Sequence, residues 1–253
     1  MRPDTFDPHS PPVITLEMIH GPQKHLISTC IITFSHVIYD AVLSSFPCRR
    51  IAEIPACNGN TPVYLFSFQG KELGIFLSPI GATAVGTFIG EANWITGADR
   101  FVMFGSAGCL NREATQGKLV VPTEAYRDEG ISYHYAPAAP YIEIPNASKV
   151  AALLAESGAP YVAGRVWTTD AIYRETRAKV EARKAEGCLA VDMELAGAQA
   201  VCSFHGFQLY CFLMTGDVLD LPEWDVAELG EANHSLHNLK LALKIAAAVS
   251  DSQ

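Results

Sequence analysis

Phe101-Val-Met-Phe-Gly-Ser-Ala-Gly-Cys109 begins as four apolar residues and then breaks into small ones. The run Phe101–Phe104 reads as a buried strand, because a short, continuous apolar segment bounded by glycine suits a strand covered on both faces. Gly105-Ser-Ala-Gly108 reads as the tight turn that follows it. Without bulky side chains, Gly105 and Gly108 let backbone N–H groups approach an anion, and Ser106 adds a hydroxyl donor. A plain packing turn is the other reading of the same four residues. A strand that runs into such a junction is characteristic of α/β proteins, whose sites lie beyond the carboxyl ends of strands.

The same alternation extends outward in both directions. Further strands are predicted at Leu26–Phe34, Val63–Phe68, Leu73–Leu77, Lys118–Val121, Tyr161–Trp167, Leu189–Val191 and Leu209–Met214. Helices are predicted at His36–Ser45, Ala82–Thr96, Lys149–Ser157, Tyr173–Glu186, Met193–His205 and Ala232–Val249. In the last, Leu236, Leu239, Leu243 and Ala246 recur at helical spacing on one face. Gly70 fits a hairpin turn, and Gly97, Gly187 and Gly206 fall where helices should end. The pattern predicts an α/β fold: a single-domain three-layer sandwich over residues 13–253, with a mixed, twisted β-sheet flanked by helices. Residues 1–12 are polar and carry Pro3, Pro8, Pro11 and Pro12, so they are expected to be a flexible N-terminal segment.

Three more strand ends carry chemically useful residues. In Gly164-Arg-Val-Trp-Thr-Thr-Asp170, Trp167 leaves a strand where it can stack on a flat heterocycle, with Thr168 beside it; a core tryptophan is the competing reading. In Val191-Asp-Met-Glu-Leu195, a carboxylate at the mouth of a helix can accept hydrogen bonds from vicinal hydroxyls, and Met193 can pack on a sugar. Asp192 and Glu194 are equally readable as charges favoured by the helix N-terminus. In Leu213-Met-Thr-Gly-Asp217, Asp217 stands just past an apolar strand, placed as an acid in a partly dry cleft or as a turn former.

Composition narrows the partners. With 27 acidic against 18 basic side chains the formal net charge is -9, which disfavours a nucleic-acid duplex or an anionic membrane surface. No apolar stretch approaches the roughly 18 residues of a membrane helix, and no basic segment leads into an apolar one at the start. Seven cysteines, an odd number without a CxxC pair, read as reduced and mostly buried thiols, pointing to a cytoplasmic protein. His9, His20, His234 and His237 show no metal-ligand spacing, so no metal is expected.

Taken in order, the junctions resemble the nucleoside phosphorylase family, which includes purine nucleoside phosphorylases, uridine phosphorylases and related nucleosidases. The resemblance covers roughly Val63 to Val249. Gly105-Ser-Ala-Gly108, Asp192-Met-Glu194 and Gly216-Asp217 carry it, and Arg127-Asp-Glu-Gly-Ile-Ser-Tyr-His-Tyr-Ala-Pro137 is similar to the uridine-phosphorylase-like members. The resemblance implies a phosphorylase/hydrolase-like form of the sandwich. It also implies cleavage of the N-glycosidic bond of a nucleoside by phosphate, giving free base and pentose 1-phosphate, with a purine favoured over uridine. Gly105 and Ser106 would bind phosphate, Met193 and Glu194 the ribose, and Trp167 and Thr168 the base side. Asp217 would be the acid at N7 of the leaving purine. Inorganic phosphate would be the co-substrate, with no cofactor. Family members assemble as dimers or trimers of dimers, so a homo-oligomer is expected.

The chain also departs from the family. Ile32-Thr-Phe-Ser-His36 occupies the place of a Gly-Asp-Pro segment with a nearby arginine, and Met103 replaces an arginine two residues before the small-residue turn. Arginine grips phosphate through paired, charge-assisted bonds, so losing two weakens that half of the site. Arg49, Arg50, Arg165 and Arg174 are the candidates to replace them, and His36 is a candidate to activate water. A hydrolytic nucleosidase is therefore the alternative activity, and a non-catalytic nucleoside-binding relative the third reading.

Overall fold

The computed structural model describes residues 5–220 and 223–250. The strands are β1 (Thr29–Thr33), β2 (Arg49–Ile54), β3 (Thr61–Phe68), β4 (Lys71–Leu77), β5 (Arg100–Cys109), β6 (Leu119–Asp128), β7 (Tyr141–Glu143), β8 (Tyr161–Thr169), β9 (Cys188–Asp192) and β10 (Gln208–Val218). The helices are α1 (Leu16–His20), α2 (His36–Ser45), α3 (Ala82–Thr96), α4 (Arg112–Thr115), α5 (Ser132–Tyr135), α6 (Ala147–Glu156), α7 (Arg177–Ala185), α8 (Leu195–His205), α9 (Leu229–His234) and α10 (Leu236–Val249).

All ten strands form one mixed sheet in the order β10-β6-β8-β9-β5-β1-β4-β3-β2, with β7 on β6. The expected α/β sandwich is present. Cys30, Ile32, Phe101, Met103, Leu209, Cys211 and Leu213 pack with α3 and α8 on one face. Their neighbours Ile31, Val102, Phe104, Tyr210 and Phe212 pack with α2, α6 and α10 on the other. Side chains on a strand alternate between faces, so these central strands are apolar at nearly every position and are covered on both sides.

One half of the sheet goes further than a flat layer. β10 pairs with β6 and also, in parallel, along the whole of β5, so β10, β6, β8, β9 and β5 close into a ring. This pairing corrects the reading of Gly105-Ser-Ala-Gly108 as a turn. Those residues continue β5 as a strand, because Leu213, Met214, Thr215 and Asp217 lie opposite Gly105, Ser106, Ala107 and Gly108. On its other edge β5 meets β1 only up to Met103 and β9 only from Gly108. Phe104–Ala107 therefore has a strand neighbour on one side and an opening on the other.

Several boundaries differ from the sequence reading. The helix predicted from Tyr173 starts at Arg177, where the Thr176 hydroxyl accepts the Lys179 N–H, and a 3-10 turn covers Ile172–Arg174. The helix predicted from Met193 starts at Leu195, and that predicted from Ala232 is divided at Ser235 into α9 and α10. Of the proline-rich start, residues 1–4 lie outside the described residues. Thr5 donates a hydrogen bond to the Tyr133 carbonyl, and Phe6 meets Phe204 edge-on. All seven cysteines are free thiols, five of them buried. Among the described residues, no helix is long and apolar enough to cross a membrane.

Candidate active site

The opening beside Phe104–Ala107 widens into a cavity of about 790 Å³. Gly105, Ser106, Ala107 and Gly108 make its floor. Three residues of extended chain separate its two ends by about 10 Å. At the Gly105 end stand Phe34, Ser35, Asn233 and His234; at the Gly108 end stand Val191, Asp217, Leu219 and Trp224. A Cβ on Gly108 would lie 2.5 Å from Leu219 Cδ1 and 2.9 Å from Val191 Cγ1, so glycine is what lets these groups close that end.

Asp217 reaches the cavity through a bulge in β10. Thr215 faces Ala107 and Asp217 faces Gly108, leaving Gly216 as the extra residue. A bulge interrupts the alternation of side chains and re-aims the one after it. Gly216 also lets α9 lie close, since a Cβ there would be 2.8 Å from Ala232 Cβ and 3.1 Å from Leu229 Cα. The Asp217 carboxylate accepts a 2.8 Å hydrogen bond at Oδ2 from Trp224 Nε1.

Met193 and Glu194 line the cavity between the end of β9 and α8. Asp192 holds their loop: its Oδ2 accepts the N–H groups of Glu194 and Leu195 at 3.2 and 2.7 Å, capping α8. Glu194 Oε1 accepts the Gly81 N–H at 2.7 Å. Burial, and then the neighbouring Asp192 charge, push the Glu194 carboxyl up, while the Gly81 N–H opposes the shift.

Two base-side expectations are corrected. Trp167 is 1% exposed and packs with Leu110, Val180, Cys188 and Val191, donating from Nε1 to Asp128 Oδ2 at 3.2 Å. It is a core residue and no wall of the cavity. Thr168 is fully buried beneath the loop that carries Met193 and Glu194, where its Oγ1 donates to Asp192 Oδ1 at 2.6 Å and accepts the Ala196 N–H at 3.1 Å. It positions Asp192 rather than meeting a ligand. The exposed aromatic beside Asp217 is Trp224.

Ser106 lies on the floor, and its hydroxyl donates to Asn233 Oδ1 at 2.5 Å. The candidate arginines lie elsewhere: Arg165 pairs with Glu124 at 2.7 Å, Arg50 with Glu53, and neither Arg49 nor Arg174 lines the cavity. His36 does not line it either; His234 does.

Sequence reading missed Glu175, Arg177, Trp224, Asn233 and His234, all of which line the cavity. Arg177 donates from Nη1 to the Leu219 carbonyl at 2.6 Å. Burial, together with the Asp217 charge and against Lys179, pushes Glu175 up to about 7. Among the described lining residues, Glu175, Asp192, Glu194 and Asp217 stand against one permanent cation, Arg177.

Residues 30–250 match the model of the phosphorylase superfamily. A DeoD-type purine nucleoside phosphorylase from Colwellia psychrerythraea is 22% identical over 168 residues, covering 65% of this chain and 72% of that one. A futalosine hydrolase mutant of Helicobacter pylori has a similar structure, with a TM-score of 0.71 at 16% identity over 88% of this chain and all of that one. An AMP nucleosidase from Bacteroides thetaiotaomicron has a TM-score of 0.69 at 16% identity, over 88% of this chain and 89% of that one.

Proposed function

The chain belongs to the phosphorylase superfamily, and on that premise we propose that it is a nucleosidase, hydrolysing the N-glycosidic bond of a purine nucleoside. Glu194 accepts hydrogen bonds from the 2′ and 3′ hydroxyls, and Met193 packs on the ribose. Asp217, held by Trp224, donates to the base nitrogen that gains charge as the bond breaks. Anchoring the sugar orients C1′ toward the attacking oxygen, so binding energy remote from the bond lowers the barrier at it.

The observation that carries water rather than phosphate as acceptor is the scarcity of cations in the described lining. Four carboxyl groups and one arginine line it, and that arginine is tied to Leu219, beside the Asp217 end. A phosphate dianion is held best by paired guanidinium donors in a positive field. A neutral water needs no such partners. Phosphorolysis is the second reading, supported by the Ser106 hydroxyl on the floor and by the phosphorylase among the relatives.

The test is base release from a panel of purine nucleosides, with and without added phosphate. The expected outcome is equal release in both buffers, with free pentose as the second product. Release that requires phosphate and yields pentose 1-phosphate would establish the second reading instead.

A further inference from the structure

At the Gly105 end of the floor, two serines are bonded to two consecutive residues of α9. Ser106 is bonded to Asn233, and Ser35 Oγ lies 2.7 Å from His234 Nδ1. The first bond ties α9 to β5, and the second brings it to the end of β1 across almost two hundred residues of chain. Ser35 is 5% exposed and fixed from three sides: its N–H donates to Thr33 Oγ1, its Oγ accepts the Ile38 N–H at the start of α2, and the same Oγ meets the imidazole. His234 is anchored at Nδ1, while its ring is exposed and lines the cavity. Its Nε2 makes no hydrogen bond among the described residues. The His36 ring packs against it edge-on at 6.0 Å.

We propose that the Ser35–His234 pair is the base that takes the proton of the attacking water, His234 as the catalytic residue and Ser35 as its positioning residue. This rests on the nucleosidase reading. With Nδ1 protonated and donating to Ser35 Oγ, the imidazole is fixed in the tautomer that leaves a lone pair on Nε2. Ser35 Oγ then accepts two hydrogen bonds, from Nδ1–H and from Ile38 N–H, which matches its two lone pairs. As the water oxygen forms its bond to C1′, one of its O–H bonds breaks and the proton passes to Nε2. The C1′–N bond breaks with its electron pair going to the base, which takes a proton from Asp217. The imidazolium and the Asp217 carboxylate left behind together hold the one proton that the next turnover requires. The net change is nucleoside plus water to base plus pentose.

The experiment compares wild type, His234→Gln and His234→Ala in phosphate-free buffer, measuring kcat, nucleoside binding at equilibrium, and the effect of added imidazole. Loss of a general base lowers turnover about 10²- to 10⁴-fold. The expected result is a fall in kcat of that size in both variants, binding within about 3-fold of wild type, and partial recovery of His234→Ala by imidazole. Ser35→Ala is expected to lower kcat by about 10-fold with binding unchanged, and Ser35→Thr to restore it. If wild type hydrolyses the nucleoside while His234→Gln retains kcat within about 3-fold, or imidazole recovers nothing, this assignment is overturned and the nucleosidase reading stands. If wild type releases no base without phosphate, both fall together.

Discussion

Glu194 illustrates how much of this site depends on one carboxyl group. Its Oε1 is held by the Gly81 N–H, and the residue lines the cavity, where we propose that it meets the sugar. Two hydrogen bonds to the ribose hydroxyls at about 0.5–1.5 kcal/mol each mean that Glu194→Gln should raise KM for a ribonucleoside by about 10- to 100-fold. The glutamine carbonyl keeps the Gly81 bond, and a 2′-deoxynucleoside should lose less; equal losses for both substrates would contradict ribose recognition by Glu194. The two tryptophans separate core from site. Trp167→Ala should destabilise the protein by about 3–5 kcal/mol, in the range for large core truncations, with KM little changed. Trp224, 68% exposed, should be replaceable by Phe without loss of stability. That change removes the donor to Asp217 and should lower kcat about 2- to 10-fold. Chemical denaturation alongside steady-state kinetics distinguishes these effects. Sequence reading left Trp167 open between the base and the core, and gave Trp224 no role, for a physical reason. Position 167 lies on a strand, and only the closure of the ring by β10 decides which of its faces becomes interior.

At the scale of elements, the most legible parts were those with local punctuation. His36–Ser45 and Ala82–Thr96 have the predicted bounds, because the Ser35 side chain caps the first and Gly97 ends the second in a left-handed conformation. β2 was missed: Arg49-Arg-Ile-Ala-Glu-Ile54 is a half-exposed strand with charges and no clean alternation. Gly105–Gly108 was misread because small residues resemble a turn, and only the partner strand β10 keeps them extended. The segment Tyr173–Glu175, read as the start of a helix, instead brings Glu175 to the cavity that Asp217 also lines. Its raised carboxyl has a consequence for stability. Between the ordinary value of 4.5 and about 7, the folded state holds a proton at Glu175 that the unfolded state has released. Stability therefore falls as pH rises through that window and levels off above it. Thermal unfolding at pH 5 and pH 8 should show a smaller drop for Glu175→Gln than for wild type. An identical drop in both proteins would contradict the burial of this carboxyl.

For the whole molecule, the site arises where β1 and β9 leave β5 at different heights, and that feature is a property of sheet order rather than of any segment. Of the residues legible in sequence, Met193 and Glu194 follow β9 and Asp217 is near the end of β10, where α/β folds place their chemistry, while Ser106 lies within β5. Those that were not legible, Trp224, Asn233 and His234, follow β10 on a loop and short helix that fold back over the floor. Nothing in their local sequence marks a return across the sheet. Both groups surround one cavity, which we propose breaks an N-glycosidic bond by protonating the leaving base from Asp217. The most direct test is single-turnover base release from a purine nucleoside in phosphate-free buffer by wild type and Asp217→Asn. The predicted result is release by wild type and a fall of about 10²- to 10⁴-fold in the variant, with nucleoside binding retained. Unchanged release by Asp217→Asn, or none by wild type, would contradict it.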